Sequence, residues 1–395
     1  MRLWSEEFAV DPHRAYQEMR RRFGALAPVE LAPGVPATLV IGYHVALRIL
    51  NDPDHFPADP RTWEREIPSD CPILPMMEWR PNPIRSAGHD HTRYRSAAAA
   101  ALDQVDLHSL HAIIEKIAVA QINSFCLDGR CDVVHQYALP VVFGTLNVIL
   151  GCTPEISQRA ATGMAAMFDT TADATEGNRI LTEALLELIA AKRRTPGADV
   201  TSWLAQHPAG LDDEEMLHQL VLLYAAGIEP PQNLILNTLL LMMTDDRFAG
   251  SVHGGSLSTR DTIDEVLFSD PPMANYCITY PRQPILIDDV WLPAHQPVLI
   301  SMAACNNDPA IRTDDITGNR SHLAFSAGQH ACPARELGYL IVQDALDQLL
   351  DALPEMTLAV PSSELLWRPG PFHRALSSLP VTFPKSPPID LADNP

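Results

Sequence analysis

The stretch "FSAGQHACPAREL", Phe325–Leu337, decides how the rest of the chain reads. Ser326, Ala327 and Gly328 are small enough for the backbone to approach something flat or bulky. His330 offers a donor two residues ahead of Cys332. Pro333 suits the first turn of a helix, where its missing N–H costs nothing. The order therefore predicts Cys332 at the N-terminus of a helix, whose free N–H groups and positive dipole end stabilise a thiolate. A thiolate behind a small-residue loop and ahead of a helix is what axial ligation of haem iron requires. The competing reading is a buried cysteine capping a helix beside an unrelated turn.

The remaining composition narrows the partners. A chain of 395 residues with 46% hydrophobic residues can bury a sizeable core. Its net charge of −21 argues against nucleic acid as the main partner, since phosphate binding needs a basic surface. A local basic patch for docking an acidic protein stays compatible with it. Seven cysteines make an odd count that suits a reducing cytosol better than a disulfide framework. Cys126 and Cys131 lack a second pair at zinc-site spacing and read as ordinary small, partly buried residues. The first residues mix charges throughout and show no signal-length apolar run. The most apolar window, "LILNTLLLMM", is too short for a bilayer. The expectation is a cytoplasmic protein with no membrane partner.

Along the chain, a helical start gives way to the strand-like "PATLVIGY" and the helix "HVALRIL". A proline-rich loop from Pro57 to about Gly88 carries Trp63, Met76, Met77 and Trp79. From Thr92 to about Met243 leucine and isoleucine recur at three-to-four spacing in alanine-rich text, which predicts helices. After Tyr280 short β-like runs appear, "PILIDDVWLP" and "QPVLISMAA". A last helix is expected from about Arg335 to Leu353, with "LPVTF" closing as a strand. The whole reads as one mainly α domain with a small β portion, residues 1–395.

The cysteine stretch resembles the haem-binding loop of the cytochrome P450 superfamily, F-G-x-G-x-H-x-C-x-G. Phe325, Gly328, His330 and Cys332 match, while Ser326 and Ala334 replace two glycines by small residues. Three further segments follow the family's order. "HDHTRYR" is similar to the helix whose histidine and arginine contact haem propionates; His91 and Arg95, at i and i+4, share one helical face. "CNNDPAI" resembles A-N-R-D-P, and "RPGPFHRALSSLPVTF" the C-terminal hairpin whose turn enters the substrate pocket. The resemblance spans almost the whole chain and implies the soluble bacterial kind of P450 fold.

Three departures stand out. The family's distal-helix pattern A-G-x-[DE]-T reads here Ala226, Gly227, Ile228, Glu229, Pro230, followed by Pro231. The acid is kept and the hydroxyl is gone. Prolines at 230 and 231 take bond donors from the carbonyls of Ala226 and Gly227. In the family this bend lies over the iron, so the prolines would preserve the groove while protons come through water on those carbonyls, through Glu229, or from the substrate. The alternative is that the prolines end one helix and begin another, and that oxygen is not activated. In the E-x-x-R segment Glu265 is present but Phe268 stands in place of the arginine. A second arginine is displaced, leaving Gly318 or Arg320. Phe268 is expected to pack where the ion pair was, with Glu265 meeting Arg320 or backbone donors, because an apolar replacement costs less than half of a buried ionic network. For a third propionate contact the sequence offers Arg282, or by strict counting Tyr280.

The resemblance thus implies a haem-thiolate monooxygenase or phenol-coupling oxidase with haem b (iron protoporphyrin IX). Cys332 would ligate the iron. His91, Arg95, His330 and Arg282 would hold propionates, with Phe325 and Gly328 shaping the proximal loop. Ala226, Gly227, Glu229 and Pro230 would form the distal catalytic bend. Electrons would come from a ferredoxin-type donor. The substrate would be a small molecule or peptide that is oxidatively tailored in secondary metabolism, with Trp63, Trp79, Met76 and Met77 either contacts or plain packing. A haem-binding sensor or scaffold without turnover is the rival reading.

Overall fold

A computed structural model describes residues 1–168, 174–245, 247, 258–312 and 319–391. Gly318, one of the two candidates for the displaced position, lies outside them.

The longer helices are α1 (Pro12–Phe23), α2 (Gly88–Leu102), α3 (Leu107–Phe125), α4 (Leu139–Leu150), α5 (Pro154–Phe168), α6 (Ala174–Arg194), α7 (Asp213–Thr244), α8 (Thr259–Ser269) and α9 (Arg335–Ala352). Helix α1 packs through Tyr16 and Met19 into a cluster with the β portion, while the apolar faces of α2–α9 meet in one large core. Ile122, Tyr137, Leu150, Leu188, Leu220, Leu236, Ile263 and Leu346 are buried there together. At roughly 25 cal/mol per Å² of apolar surface, this face-to-face burial dominates the stability of the helical part.

The β portion is small. Strands β1 (Leu26–Ala32), β2 (Val35–Val40), β4 (Asn275–Thr279) and β7 (Val298–Ser301) form a sheet in the order β1-β2-β7-β4. Only the β2–β7 pairing is parallel, which joins the start of the chain to its last third. Strands β5 (Ile285–Ile287) and β6 (Val290–Leu292) form a hairpin. Strand β3 (Arg130–Asp132) pairs with β9 (Pro380–Thr382), which also pairs with β8 (Thr357–Leu358).

Two local devices position the site. Helix α7 opens with a reciprocal capping box between Asp212 and Glu215 and an acidic first turn, both favourable at a helix N-terminus. It then runs unbroken through Pro230 and Pro231, so the prolines do not divide it into two helices. Gly227 lies against α4, where a Cβ would sit 3.1 Å from the Leu146 side chain. The second device is the "CNNDPAI" segment. The Asn306 side chain donates to the Leu267 carbonyl and accepts from the Leu323 N–H at 2.8 Å. Asp308 accepts from the Tyr43 N–H. These bonds fix the chain that enters the cysteine loop against α8.

The E-x-x-R expectation needs correction in one part. Phe268 is buried on α8, as a packing role requires. Arg320, however, pairs through Nε with Asp264 at 2.7 Å, not with Glu265. Asp264 is buried and also accepts from the Tyr339 hydroxyl. Glu265 meets Arg247 at 3.5 Å. Adjacent helical residues point about 100° apart, so Asp264 and not Glu265 faces α9.

Candidate active site

Cys332 lies in a loop held by its own backbone. Its N–H donates to the Phe325 carbonyl at 2.8 Å, the Ser326 N–H to Leu323, and the Ala331 N–H to Gly328. Ser326 and Gly328 have φ of 61° and 68°. At Gly328 only glycine fits, since a Cβ would collide with the Leu50 carbonyl oxygen. The Phe325 ring packs on Tyr339 at 5.6 Å and under the Arg335 guanidinium. Helix α9 begins at Arg335, as expected, with Ala334 as its cap; Pro333 lies ahead of its first turn. The sulfur meets the helix start through the Ala334 N–H. Burial pushes the Cys332 thiol up, while that N–H, Arg95 and Arg335 pull it back down. The side chain is nevertheless exposed. A group that is desolvated by surrounding protein and still accessible lines a recess.

Helix α2 brings two of the expected partners to this loop. The Arg95 guanidinium donates to the Ala331 carbonyl at 2.5 Å. His91 is buried, and its ring lies 4.3 Å from that of His330. Burial and the neighbouring cation Arg95 hold His91 low, and burial with His91 and Arg95 brings His330 down to about 4. Both rings are therefore neutral near pH 7. The His91 Nε2 atom is buried without a hydrogen-bond partner. Helix α2 is pinned in this position by Arg93, which grips Glu215 at the start of α7 with two bonds of 2.5 and 2.7 Å and donates to the Ala209 carbonyl. Tyr94 adds a third bond to Glu215.

Arg282 lies in a different setting. It is exposed, and its Nε donates to the Asp54 carbonyl at 2.8 Å. Tyr280 is buried with its ring against Trp63.

On the distal side, Ala225 and Ala226 are exposed in the middle of the longest helix, between buried Tyr224 and Ile228. Small side chains there leave open space over the helix. Glu229 is half-buried and ion-paired with Arg368 of the C-terminal hairpin. Of the loop residues, Trp63 and Met77 are core, Met76 is exposed, and Trp79 keeps a buried Nε1 without a partner. Trp63 and Met77 thus pack, and Trp79 is the better candidate contact.

No family model matches the chain. Curated relatives match it nearly end to end. The cytochrome P450 monooxygenase PikC of Streptomyces venezuelae is 26% identical, covering 96% of this chain and 92% of PikC. The 6-deoxyerythronolide B hydroxylase of Saccharopolyspora erythraea is 26% identical over 96% of this chain and 98% of its own. The solved structure of CYP154C4 from Streptomyces sp. W2061 superposes with a TM-score of 0.85 at 27% identity, covering 96% of this chain and 97% of that one. The chain belongs to the cytochrome P450 superfamily.

A P450 carries haem, and the residues present fit it. An accessible sulfur that accepts the Ala334 N–H, on a residue whose own N–H is tied to the Phe325 carbonyl, suits an iron ligand. The unpartnered His91 Nε2, with His330 and Arg95 beside it, suits an anionic propionate. Among the described residues no helix is long and apolar enough to cross a membrane. The sequence reading of this P450 missed Arg368, the partner of Glu229. The two are 139 positions apart, and nothing in "WRPG" marks the arginine as a distal residue.

Proposed function

We propose that this P450 is a haem b monooxygenase or oxidase acting in the cytoplasm with a ferredoxin-type donor, and that it tailors a secondary metabolite by hydroxylation or aromatic cross-linking. The observation that carries the reading is the accessible Cys332 sulfur with His91, Arg95 and His330 gathered beside its loop. The names of the relatives, the 6-deoxyerythronolide B hydroxylase among them, support the tailoring role.

When bound, haem supplies oxygen activation, and a thiolate ligand favours O–O cleavage. Cys332 would be that ligand, and His91, Arg95 and His330 would hold the propionates. Neutral imidazoles serve as N–H donors to a carboxylate without adding charge. On the distal side no hydroxyl stands at position 230. The carbonyls of Ala226 and Gly227, which have no helical donor opposite them, would hold a water in the groove. Glu229 would exchange protons with that water, restrained by Arg368.

The experiment is turnover with a ferredoxin donor and a panel of polyketides, amino acids and Tyr- or Trp-containing peptides, measuring product and peroxide together. Product formation supports the reading, and haem binding without product would favour a sensor or scaffold. Pro230→Ala probes the groove. The new N–H would bond the Ala226 carbonyl, stabilising the helix by about 1–3 kcal/mol. It should lower coupled turnover several-fold by removing the acceptor of the water.

A further inference from the structure

Glu229, Asn233 and Asn237 recur at i, i+4 and i+8, so they form one polar row along α7. The C-terminal hairpin lies against this row. Arg368 pairs with Glu229 at one end, and the Arg374 carbonyl accepts from Asn237 at 3.2 Å at the other. Between the ends, Asn233 is 1% exposed, yet neither its Oδ1 nor its Nδ2 has a partner. Arg368 Nε and His373 Nε2 are buried and unpartnered as well. A primary amide with both ends orphaned in an interior is a strong demand for water, because each buried polar group left unsatisfied keeps its full desolvation cost.

There is room beside the hairpin for water. A void of about 10 Å³, close to the volume one water needs, is lined by Arg368, Gly370 and His373 of the hairpin and by Phe8 and Tyr16 near the start of the chain. It places water at the hairpin and does not reach α7. Gly370 allows the His373 ring to sit there, since a Cβ would lie 2.5 Å from the ring. Burial holds the His373 imidazole below its ordinary value, while the Glu229 carboxylate of α7 draws it up and Arg368 of the hairpin pushes it further down. Arg374, its neighbour, is turned onto the Trp367 ring and paired with Asp270 at 3.0 Å, which also meets His13.

We propose that Asn233, His373 and Arg368 hold a buried water chain that carries protons between the C-terminal hairpin and Glu229. Neutral His373 takes a proton from solvent, the transient imidazolium gives its Nε2 proton to the chain, and the Glu229 carboxylate takes one from it. His373 and Asn233 act through Glu229 and are positioning residues. The inference rests on the oxygenase reading, in which a distal bend without a hydroxyl still needs a proton supply.

The test has two arms that do not depend on turnover. A high-resolution structure of the haem-loaded protein should show ordered water within hydrogen-bond reach of the Asn233 amide and His373 Nε2. In the full chain, NMR titration of His373 should move down in Glu229→Gln, which removes the carboxylate that favours the cation, and up in Arg368→Gln. In turnover, Asn233→Leu should bind substrate normally, lose roughly tenfold in coupled product, and flatten the pH profile of coupling. A dry Asn233, or a His373 titration indifferent to both charge changes, overturns the water chain and leaves the oxygenase reading standing. A wild-type protein that makes no product overturns both.

Discussion

Around Cys332 the backbone-to-backbone bonds within the loop come from nearby in the chain: Phe325 to Cys332, Leu323 to Ser326, Gly328 to Ala331. Around Glu229 they come from far away, with Arg368 and Arg374 reaching α7 from the C-terminal hairpin. The proximal loop is specified by contiguous residues whose small size, φ angles and order are each required by the backbone path. The distal bend is specified by tertiary contact, and its helix tolerates two prolines because α4 and the hairpin hold it on either side. Local specification keeps a motif recognisable even with Ser326 and Ala334 replacing glycines. Tertiary specification allows its chemistry to be rebuilt with different residues.

The strongest challenge to this contrast targets α8, which supports the proximal loop. Phe268→Arg restores the family's residue type to a buried site whose acids already have partners: Asp264 with Arg320 and Tyr339, Glu265 with Arg247. An unpaired buried guanidinium should cost about 3–5 kcal/mol, seen as lost folded protein and haem content in thermal melts. A gain in both would mean that the old ionic network is still latent.

A smaller loss should follow Asp264→Asn. The carboxylate is buried but Arg320 is half exposed, so removing the charge should cost about 2–3 kcal/mol in denaturant unfolding. Glu265→Gln should cost less, since its carboxylate meets the exposed Arg247 at the longer distance of 3.5 Å. If Glu265→Gln were the more damaging, the pairing described for α8 would be reversed.

The smallest effect is a pH dependence at the junction of the two regions. Arg93 holds the Glu215 carboxyl down to about 2. A carboxyl lowered on folding contributes its full stability above its ordinary value, near 4.3, and loses it as the pH falls towards 2. Allowing for solvent screening, about 1–2 kcal/mol should disappear across that window. Glu215→Gln should already lack it at pH 7 and show a correspondingly flatter acid limb in equilibrium unfolding. An unchanged acid limb would mean that the Arg93 bonds do not anchor α2.

What was legible in the sequence follows the same division. The mainly α fold, the cysteine loop and the i, i+4 pair on α2 depend on short-range periodicity and spacing, and these are visible in the text of the chain. Helix α9 starts at Arg335 as expected, while Pro333 stays ahead of its first turn and the Ala334 N–H serves the sulfur. The partner of Arg320 moved from Glu265 to Asp264 because one residue along a helix changes its face. The bond from Arg282 Nε to the Asp54 carbonyl spans 228 positions and is likewise invisible in the sequence. The Glu229–Arg368 pair and the orphaned Asn233 amide belong to the same class, visible only once the hairpin is packed on α7.

The central claim is that Cys332 presents a thiolate to haem, and the most direct measurement is the carbon monoxide difference spectrum of the reduced protein beside Cys332→Ser. The account predicts a red-shifted thiolate–CO band in the native protein that disappears in the variant. An unshifted band in the native protein, or a shifted band that survives in Cys332→Ser, would contradict it.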